Sequence, residues 1–238
     1  MKHTEQKSFT QSTSFDLLLT LGTLFSLKWI LLQFPTMWTF AGPISLLSAL
    51  AVATWCLRRK NESWRDLGLI HSGSFLNLSL WVVGALVVTI LVGSLAGSVA
   101  SSIFSPPSDL NPQVTDYYQN RFDNVPGNLP VYLYWLILSW VVGGFTEEML
   151  FRGFMITRFE KVFSKFPFPI VFAIVVQALI FGQQHMYYQG VAGLFATGFI
   201  GLVSGLIYIL CKRRLWPLII SHGLANTLGM TMLFLGNA

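Results

Sequence analysis

Charged side chains are scarce in this sequence. Asp, Glu, Lys and Arg make up 11% of its 238 residues, whereas hydrophobic residues make up 53%. The charged fraction of a soluble domain is about 25%. A water-soluble domain could not cover its surface with so few charges, so that class of protein is excluded. The composition predicts an all-α polytopic membrane protein in a lipid bilayer, with one membrane-embedded domain over residues 1–238.

Cysteines and dense basic clusters are also scarce. The two cysteines, Cys56 and Cys211, fall near the ends of separate apolar runs and close to basic residues, where we expect no disulfide. Both lie far from the histidines in sequence, and no Ser/His/Asp set is evident, so these nucleophilic sites are not predicted. The net charge of +5 is spread over short loops, which excludes nucleic acid as a partner.

Long apolar runs, in contrast, are abundant. Each of seven runs is close to the ~20 residues that a membrane-spanning helix needs. They are Phe15–Phe34, Phe40–Leu57, Phe75–Phe104, Val131–Phe154, Pro167–Met186, Val191–Leu210 and Leu215–Leu235. The third run is overlong, so its helix is expected to tilt or to extend beyond the lipid. We therefore expect a transmembrane bundle of about seven spans, with an eighth as the alternative.

The basic residues of the loops predict the orientation. Those of the segments expected to face the cytoplasm are Lys2, Lys7, Arg58, Arg59, Lys60, Arg65, Arg158, Lys161, Lys165, Lys212, Arg213 and Arg214, and the alternate loops contain only Arg121. An excess of Lys and Arg marks the cytoplasmic loops of membrane proteins. We expect a multi-pass protein of the cell membrane, with a cytoplasmic N-terminus and an external loop Ser105–Pro130.

Two adjacent carboxylates, Glu147 and Glu148, occur near the end of the fourth apolar run. Ionisable groups within membrane spans are rare and mark functional sites by default. Glu148 and Arg152 are four residues apart with the acid first, so they are expected to pair along one helix face. Glu147 lies about 100° around an α-helix from Glu148. Its carboxylate is therefore expected to face a cavity, although a structural charge cluster at the helix end is the alternative.

Three further polar residues interrupt apolar helices. His185 ends the fifth run, one helical turn after Phe181, so that the phenyl ring is expected to pack beside the imidazole. His222 and Asn226 are also one turn apart and project from one face of the seventh run. A single histidine in a membrane helix is most often a satisfied hydrogen-bonding residue. Two histidines, an asparagine and a glutamate pair in three helices are a much more specific pattern.

These motifs, EExxxR, FxxxH and HxxxN, resemble the signatures of the CPBP family of intramembrane proteases. That family includes Rce1-like CAAX prenyl endopeptidases and the bacterial Abi proteins. The resemblance covers Trp140 to Gly229, and the segment Trp64–Leu69 resembles the short LGL segment that precedes the family core. It implies an all-α membrane fold of eight or so helices with a motif core over residues 131–235. The site would be enclosed by the fourth, fifth and seventh helices.

The chemistry that this resemblance implies can be argued from the groups themselves. Peptide hydrolysis needs a water, a base that activates it and donors for the developing oxyanion. Glu147 is the candidate base, and the Asn226 amide is the candidate oxyanion donor with His222 beside it. His185 would be a second donor or would orient the water. The predicted substrate is a membrane-associated peptide or protein, and the alternative is a non-catalytic Abi-type immunity or peptide-binding protein.

Two questions stay open at this level. Glu147, His185 and His222 also make a two-histidine, one-carboxylate set that suits a divalent metal such as zinc, although no cofactor is favoured because an asparagine suits an oxyanion better. In addition, counting residues from the ends of the predicted helices places Glu147 and His185 at different depths in the membrane. A continuous helix from Val131 to about Phe163 would place Glu147 at mid-length. Lys28, within the first run, is expected to extend its ammonium to an interface.

Overall fold

Helices make up the fold throughout the described part of the chain. The computed structural model describes residues 12–70, 73–104 and 121–236, and no strand occurs among them. The helices are α1 (Thr13–Leu31), α2 (Ala41–Arg59), α3 (Phe75–Ile103), α4 (Leu129–Val162), α5 (Pro169–Leu210) and α6 (Trp216–Phe234), with a short 3₁₀ helix at Pro35–Phe40. The predicted all-α fold is confirmed. Backbone hydrogen bonds within each helix are what allow apolar segments to cross lipid.

Five of the described helices are long and apolar enough to cross a membrane. They are Thr13–Leu31, Pro35–Arg59, Phe75–Ile103, Leu129–Val162 and Pro169–Leu210. The last of these is bent at Gly190, where φ is 65° and ψ is −161°, so the fifth and sixth apolar runs form its two arms. Residues 105–120 of the predicted external loop lie outside the described part. The count of about seven spans therefore stays a prediction.

Helix α4 extends further than the predicted span Val131–Phe154. It is α-helical over Leu129–Leu138, π-helical over Ser139–Met155 and α-helical again over Ile156–Val162. The alternative of one continuous helix is thus the arrangement found, with Glu147 near its middle. The expectation of a regular α-helix around the glutamates was wrong. π-Helical hydrogen bonding is rare in proteins, and where it occurs it is often at a functional site.

Small residues bring the two arms of α5 together. A Cβ added at Gly201 would lie 3.1 Å from Cα of Ala178, and one at Gly205 would lie 2.9 Å from Cγ2 of Ile174. Glycine pairs of this kind allow close packing of membrane helices. In the GxxxG of α3, only Gly93 makes such a contact, with Ile200 of the second arm. The bend at Gly190 and these contacts make α5 a helical hairpin.

Ion pairs connect α1, α2 and α4 at one end of the bundle. Asp16 is fully buried and lies 3.0 Å from Arg59, 2.6 Å from Lys60 and 3.1 Å from Arg158. Arg213, in the loop before α6, pairs with Glu160 of α4 at 2.7 Å. Three of the basic segments that the charge pattern places on one side of the membrane are therefore in contact at this end.

The loop after α2 joins the same charged end. Glu62 forms ion pairs with Arg158 and, at 3.2 Å, with Lys161. Burial acts to raise the pKa of Glu62, but the hydrogen bonds and charges of Arg158 and Lys161 outweigh it and lower the pKa below its usual value. In the LGL segment, the Gly68 carbonyl accepts a hydrogen bond from Leu215 N–H at 3.0 Å. This contact fixes the start of α6.

Candidate active site

The predicted polar residues meet at one cavity of about 610 Å³. Four of them line it: Glu147 from α4, His185 from the first arm of α5, and His222 and Asn226 from α6. The difference in depth that helix counting gives between Glu147 and His185 does not occur, because α4 continues beyond Phe154. The geometry brings together the four motif residues that are the candidates for catalysis.

The two glutamates have different surroundings. Glu147 lines the cavity and is 9% exposed. Glu148 is buried, and its Oε2 lies 3.3 Å from Nε of Arg152, four residues further along the chain. The Arg152 guanidinium also lies 4.4 Å from the centre of the Phe181 ring. A buried guanidinium requires a carboxylate or an aromatic face to compensate its charge, and this one has both.

His222 lies between the two glutamates. Its Nδ1 is 2.8 Å from Oε1 of Glu148, and its Nε2 is 4.0 Å from Oε2 of Glu147. Because a carboxylate accepts hydrogen bonds, Nδ1 carries the proton and donates a hydrogen bond to Glu148. Nε2 is then directed towards Glu147. The contact between Glu148 and His222 was missed by the sequence reasoning, which gave Glu148 only Arg152 as a partner.

His185 is held by its own helix. Its Nδ1 lies 2.8 Å from the carbonyl oxygen of Phe181, one turn earlier, and the two rings are 4.8 Å apart. A carbonyl can only accept a hydrogen bond, so Nδ1 carries the proton. In the neutral imidazole the other nitrogen, Nε2, is therefore an acceptor. Neutral His185 can accept a hydrogen bond from a water, whereas it could donate one from Nε2 only when protonated.

Asn226 connects α6 to α4. Its Nδ2 donates a hydrogen bond to the Ser139 carbonyl at 3.1 Å. A side-chain amide has two N–H groups, so one donor is left after this contact. The hydrogen bond fixes the orientation of the amide at the edge of the cavity.

Glycines allow α4 and α6 to approach closely enough for these contacts. A Cβ on Gly143 would lie 2.6 Å from Nδ2 of Asn226, and one on Gly144 would lie 3.3 Å from the backbone of Gly223. A side chain at Gly223 would overlap the Trp140 ring. The sequence reasoning missed this role. The signal that could have revealed it is the adjacent pair Gly143 and Gly144, which lies about one helical turn before Glu147.

The cavity also contains a lysine. Lys28 lines it, is 6% exposed and donates a hydrogen bond from Nζ to the Gln184 carbonyl at 3.2 Å. Nζ also lies 4.7 Å from the centre of the Tyr187 ring. The expectation that this ammonium extends to an interface was wrong, because α1 packs with Lys28 facing the bundle interior.

A second cavity of about 310 Å³ lies on the α3 side of the site. Glu148, His222 and Asn226 line it together with α3 residues such as Thr89. Because His222 and Asn226 line both cavities, they form part of the wall between the two.

A metal ion would find no preformed ligand cluster in the described part of the cavity. Among the residues that the structure describes, no group of three or more His, Cys, Asp and Glu side chains is arranged so that it could hold a metal ion. The set of Glu147, His185 and His222 thus shares a cavity without forming a ligand cluster. Nδ1 of each histidine is hydrogen-bonded, to Glu148 or to the Phe181 carbonyl, so Nε2 is the ring nitrogen left for a ligand in the cavity.

Apolar helices around a buried site of carboxylates, imidazoles and an amide define a polytopic membrane protein with a titratable cavity. Residues 129–228 match the family model described as type II CAAX prenyl endopeptidase Rce1-like. This match covers less than half of the 238 residues, and it supports a CPBP, Rce1-like assignment of that part, in agreement with the resemblance carried by the three motifs. The family that this part resembles is one of CAAX-protease-type intramembrane peptidases. No curated protein and no solved structure gives a match.

Proposed function

We propose that this protein is an intramembrane endopeptidase that hydrolyses a peptide bond of a membrane-associated peptide or protein with a water activated by Glu147. The observation that supports this most is the unequal placement of the two glutamates. Glu148 is paired with Arg152 and His222. The Glu147 carboxylate lines the cavity, and its approach to His222, at 4.0 Å, is too long for a hydrogen bond. A general base must be available to the water that it deprotonates.

The reaction follows from these positions. Glu147 takes a proton from the water, and the hydroxide oxygen adds to the carbonyl carbon of the substrate. Nε2 of His185 accepts a hydrogen bond from the second O–H of the water and so orients the attack. The remaining N–H of Asn226 stabilises the oxyanion. When the tetrahedral intermediate collapses, the C–N bond breaks and Glu147 passes its proton to the departing amine. The products are a carboxylic acid and an amine, and the acid proton then transfers to the amine to give a carboxylate and an ammonium group.

Three residues position the reacting groups. Glu148 holds Nδ1 of His222, Arg152 neutralises Glu148, and Phe181 packs against both Arg152 and His185. Ordered partners of this kind fix the rotamers of groups that must act within a few tenths of an ångström.

The proposal includes no metal-dependent step, because the cavity side chains do not form a ligand cluster. A divalent ion such as zinc would need Glu147, His185 and His222 to move together. Activity of the purified protein is expected to survive dialysis against a strong chelator, with a zinc peptidase treated in parallel as the control. Loss of activity that returns only on addition of Zn²⁺ would contradict this part of the proposal.

The function is tested by cleavage of lipid-anchored reporter peptides by the purified protein in detergent. Products identified by mass spectrometry should carry one added water at a single peptide bond. Binding of the peptides with no cleavage under any condition would instead favour the peptide-binding, immunity-type alternative.

The proposed location is the cell membrane, with the charged end of the bundle in the cytoplasm. The ion pairs of Asp16 with Arg59 and Arg158, and of Glu160 with Arg213, gather basic residues at that end and support the positive-inside assignment. In a cysteine-free background, Asn124→Cys should react with a membrane-impermeant reagent in intact cells. Reaction only after permeabilisation would reverse the orientation.

A further inference from the structure

The active-site cavity contains basic side chains from outside the three motifs. Of the described residues that line it, Glu147 is the only Asp or Glu, whereas Lys28 and Arg121 are basic. Arg121 stacks on Phe122 at 4.3 Å and on Tyr188 at 5.1 Å. Lys28 comes from α1, which lies outside the residues 129–228 that match the family model.

Burial of Lys28 is expensive unless its charge is compensated. An ammonium has three N–H donors, and an unpaired charge in a membrane interior costs several kcal/mol. The Gln184 carbonyl satisfies one donor, and the face of Tyr187 gives partial electrostatic compensation. No carboxylate of the described residues forms an ion pair with Lys28. Glu147 lines the same cavity but does not reach it within ion-pair distance.

We infer that Lys28 is a specificity-determining residue that binds a carboxylate of the peptide substrate inside the cavity. This inference rests on the proposed function. The two remaining N–H groups of Nζ can make charge-assisted hydrogen bonds to a carboxylate, the kind of contact that buried cations make most strongly. A bound carboxylate would compensate the ammonium charge of Lys28 and fix the peptide relative to Glu147.

The carboxylate has two chemical sources: the C-terminal carboxylate of the peptide or an Asp or Glu side chain. A C-terminal source would place the scissile bond near the end of the substrate. A side-chain source would require an acidic residue at a fixed distance from that bond. In either case the ligand is an anionic group on a largely apolar peptide, because apolar residues such as Leu46, Val142 and Met230 form much of the remaining lining.

The test uses a pool of N-terminally acylated, fluorescent apolar peptides in three versions. One version has a free C-terminal carboxylate, one a C-terminal amide, and one a C-terminal amide with a single internal Glu. Cleavage by the wild-type protein gives kcat and KM, and the full-length Glu147→Gln protein gives Kd without turnover. We expect the free acid, the internal-Glu version or both to have KM and Kd about 10- to 100-fold below the plain amide, as for one charge-assisted contact.

Variants of α1 complete the test. Lys28→Met should abolish the preference for a carboxylate, and Lys28→Arg should retain most of it. Thr20→Val is the matched control, because Thr20 is buried in the same helix and does not line the cavity. Equal binding of all three versions to the wild-type site, or a preference that persists in Lys28→Met, would overturn the inference. Carboxylate-dependent binding without cleavage would contradict the proposed peptidase function but not the role of Lys28.

Discussion

The Nδ1 atom of His222 lies 2.8 Å from Oε1 of Glu148, the glutamate that also pairs with Arg152. One buried carboxylate thus serves a histidine on α6 and an arginine on its own helix. The neighbouring Glu147 faces the cavity and approaches the other nitrogen of the same imidazole at 4.0 Å. The adjacent glutamates are therefore linked through His222, with one orienting the ring and the other placed beside the reactive space.

Glu148→Gln should reduce both stability and activity. Loss of the charge leaves Arg152 without its carboxylate, and removal of one partner of a buried pair costs roughly 3–5 kcal/mol. His222 also loses the group that orients it, so activity per folded molecule should fall by about tenfold or more. Thermal unfolding and cleavage normalised to folded protein separate the two effects.

Glu160→Gln, which weakens the partly exposed pair with Arg213, is the control and should leave activity unchanged. Unaltered activity per folded molecule in Glu148→Gln would reduce this residue to a structural partner.

Asn226→Ala should lower kcat with a small change in KM. The amide is proposed to act on the oxyanion, and removal of one such donor costs about 10²–10³ in kcat. Thr227→Val is a close control. It removes the hydrogen bond that Thr227 accepts from Trp140 at 2.9 Å, in the same turn of α6, without altering either cavity lining. Equal losses in the two variants would show that Asn226 acts only by holding α6 against α4.

Gly143→Ala should impair catalysis more than stability. The new methyl group would lie 2.6 Å from Nδ2 of Asn226, so the amide must move away from the cavity edge. We expect kcat to fall about 10²-fold, the reach of one oxyanion donor, while the cost in stability stays at the low end of ~1–3 kcal/mol for overpacking. Gly84→Ala is the matched control, since no atom lies within 4 Å of its added Cβ. Wild-type kcat in Gly143→Ala would separate Asn226 from the chemistry.

The Glu62 ion pairs should stabilise the protein in a pH-dependent way. Arg158 and Lys161 lower the pKa of Glu62 in the folded state below its unfolded value of about 4.3. The stabilisation is therefore complete above the unfolded value and is lost as the pH falls through the lower, folded value. Thermal unfolding of wild type and Glu62→Gln from pH 3 to pH 7 should show a Tm difference that is constant near neutrality and shrinks below about pH 4. A difference that grows on acidification would contradict the assignment.

The sequence was enough to predict which residues form the site, but not all of the contacts between them. Carboxylates, imidazoles and an amide stand out in apolar helices because lipid penalises them. The spacing of Glu148 and Arg152 was enough to predict their pairing, which persists although this part of α4 is π-helical. The contact of Glu148 with His222 depends on the packing of α4 against α6 through Gly143, Gly144 and Gly223. Separation along the chain gives no signal for it.

The fold class could be predicted from the sequence, but the end of α4 and the orientation of α1 could not. Apolar runs predicted the helices, because every backbone polar group in lipid must be satisfied within a helix. Hydropathy did not reveal that α4 continues past Phe154, since its last turns carry Arg158 and Lys161 at the charged end of the bundle. Nor did it reveal that Lys28 faces inward, because a lysine near a helix end usually extends to the interface.

The most direct test of the central claim is the cleavage rate of Glu147→Gln, measured with purified protein in detergent and normalised to folded protein. The substitution retains the size of the side chain and removes the base that activates water. Activity should fall by at least about 10², the lower limit of general-base catalysis. Tm should change little, because Glu147 forms no ion pair with a lysine or arginine of the described residues. Wild-type cleavage in Glu147→Gln would contradict the account.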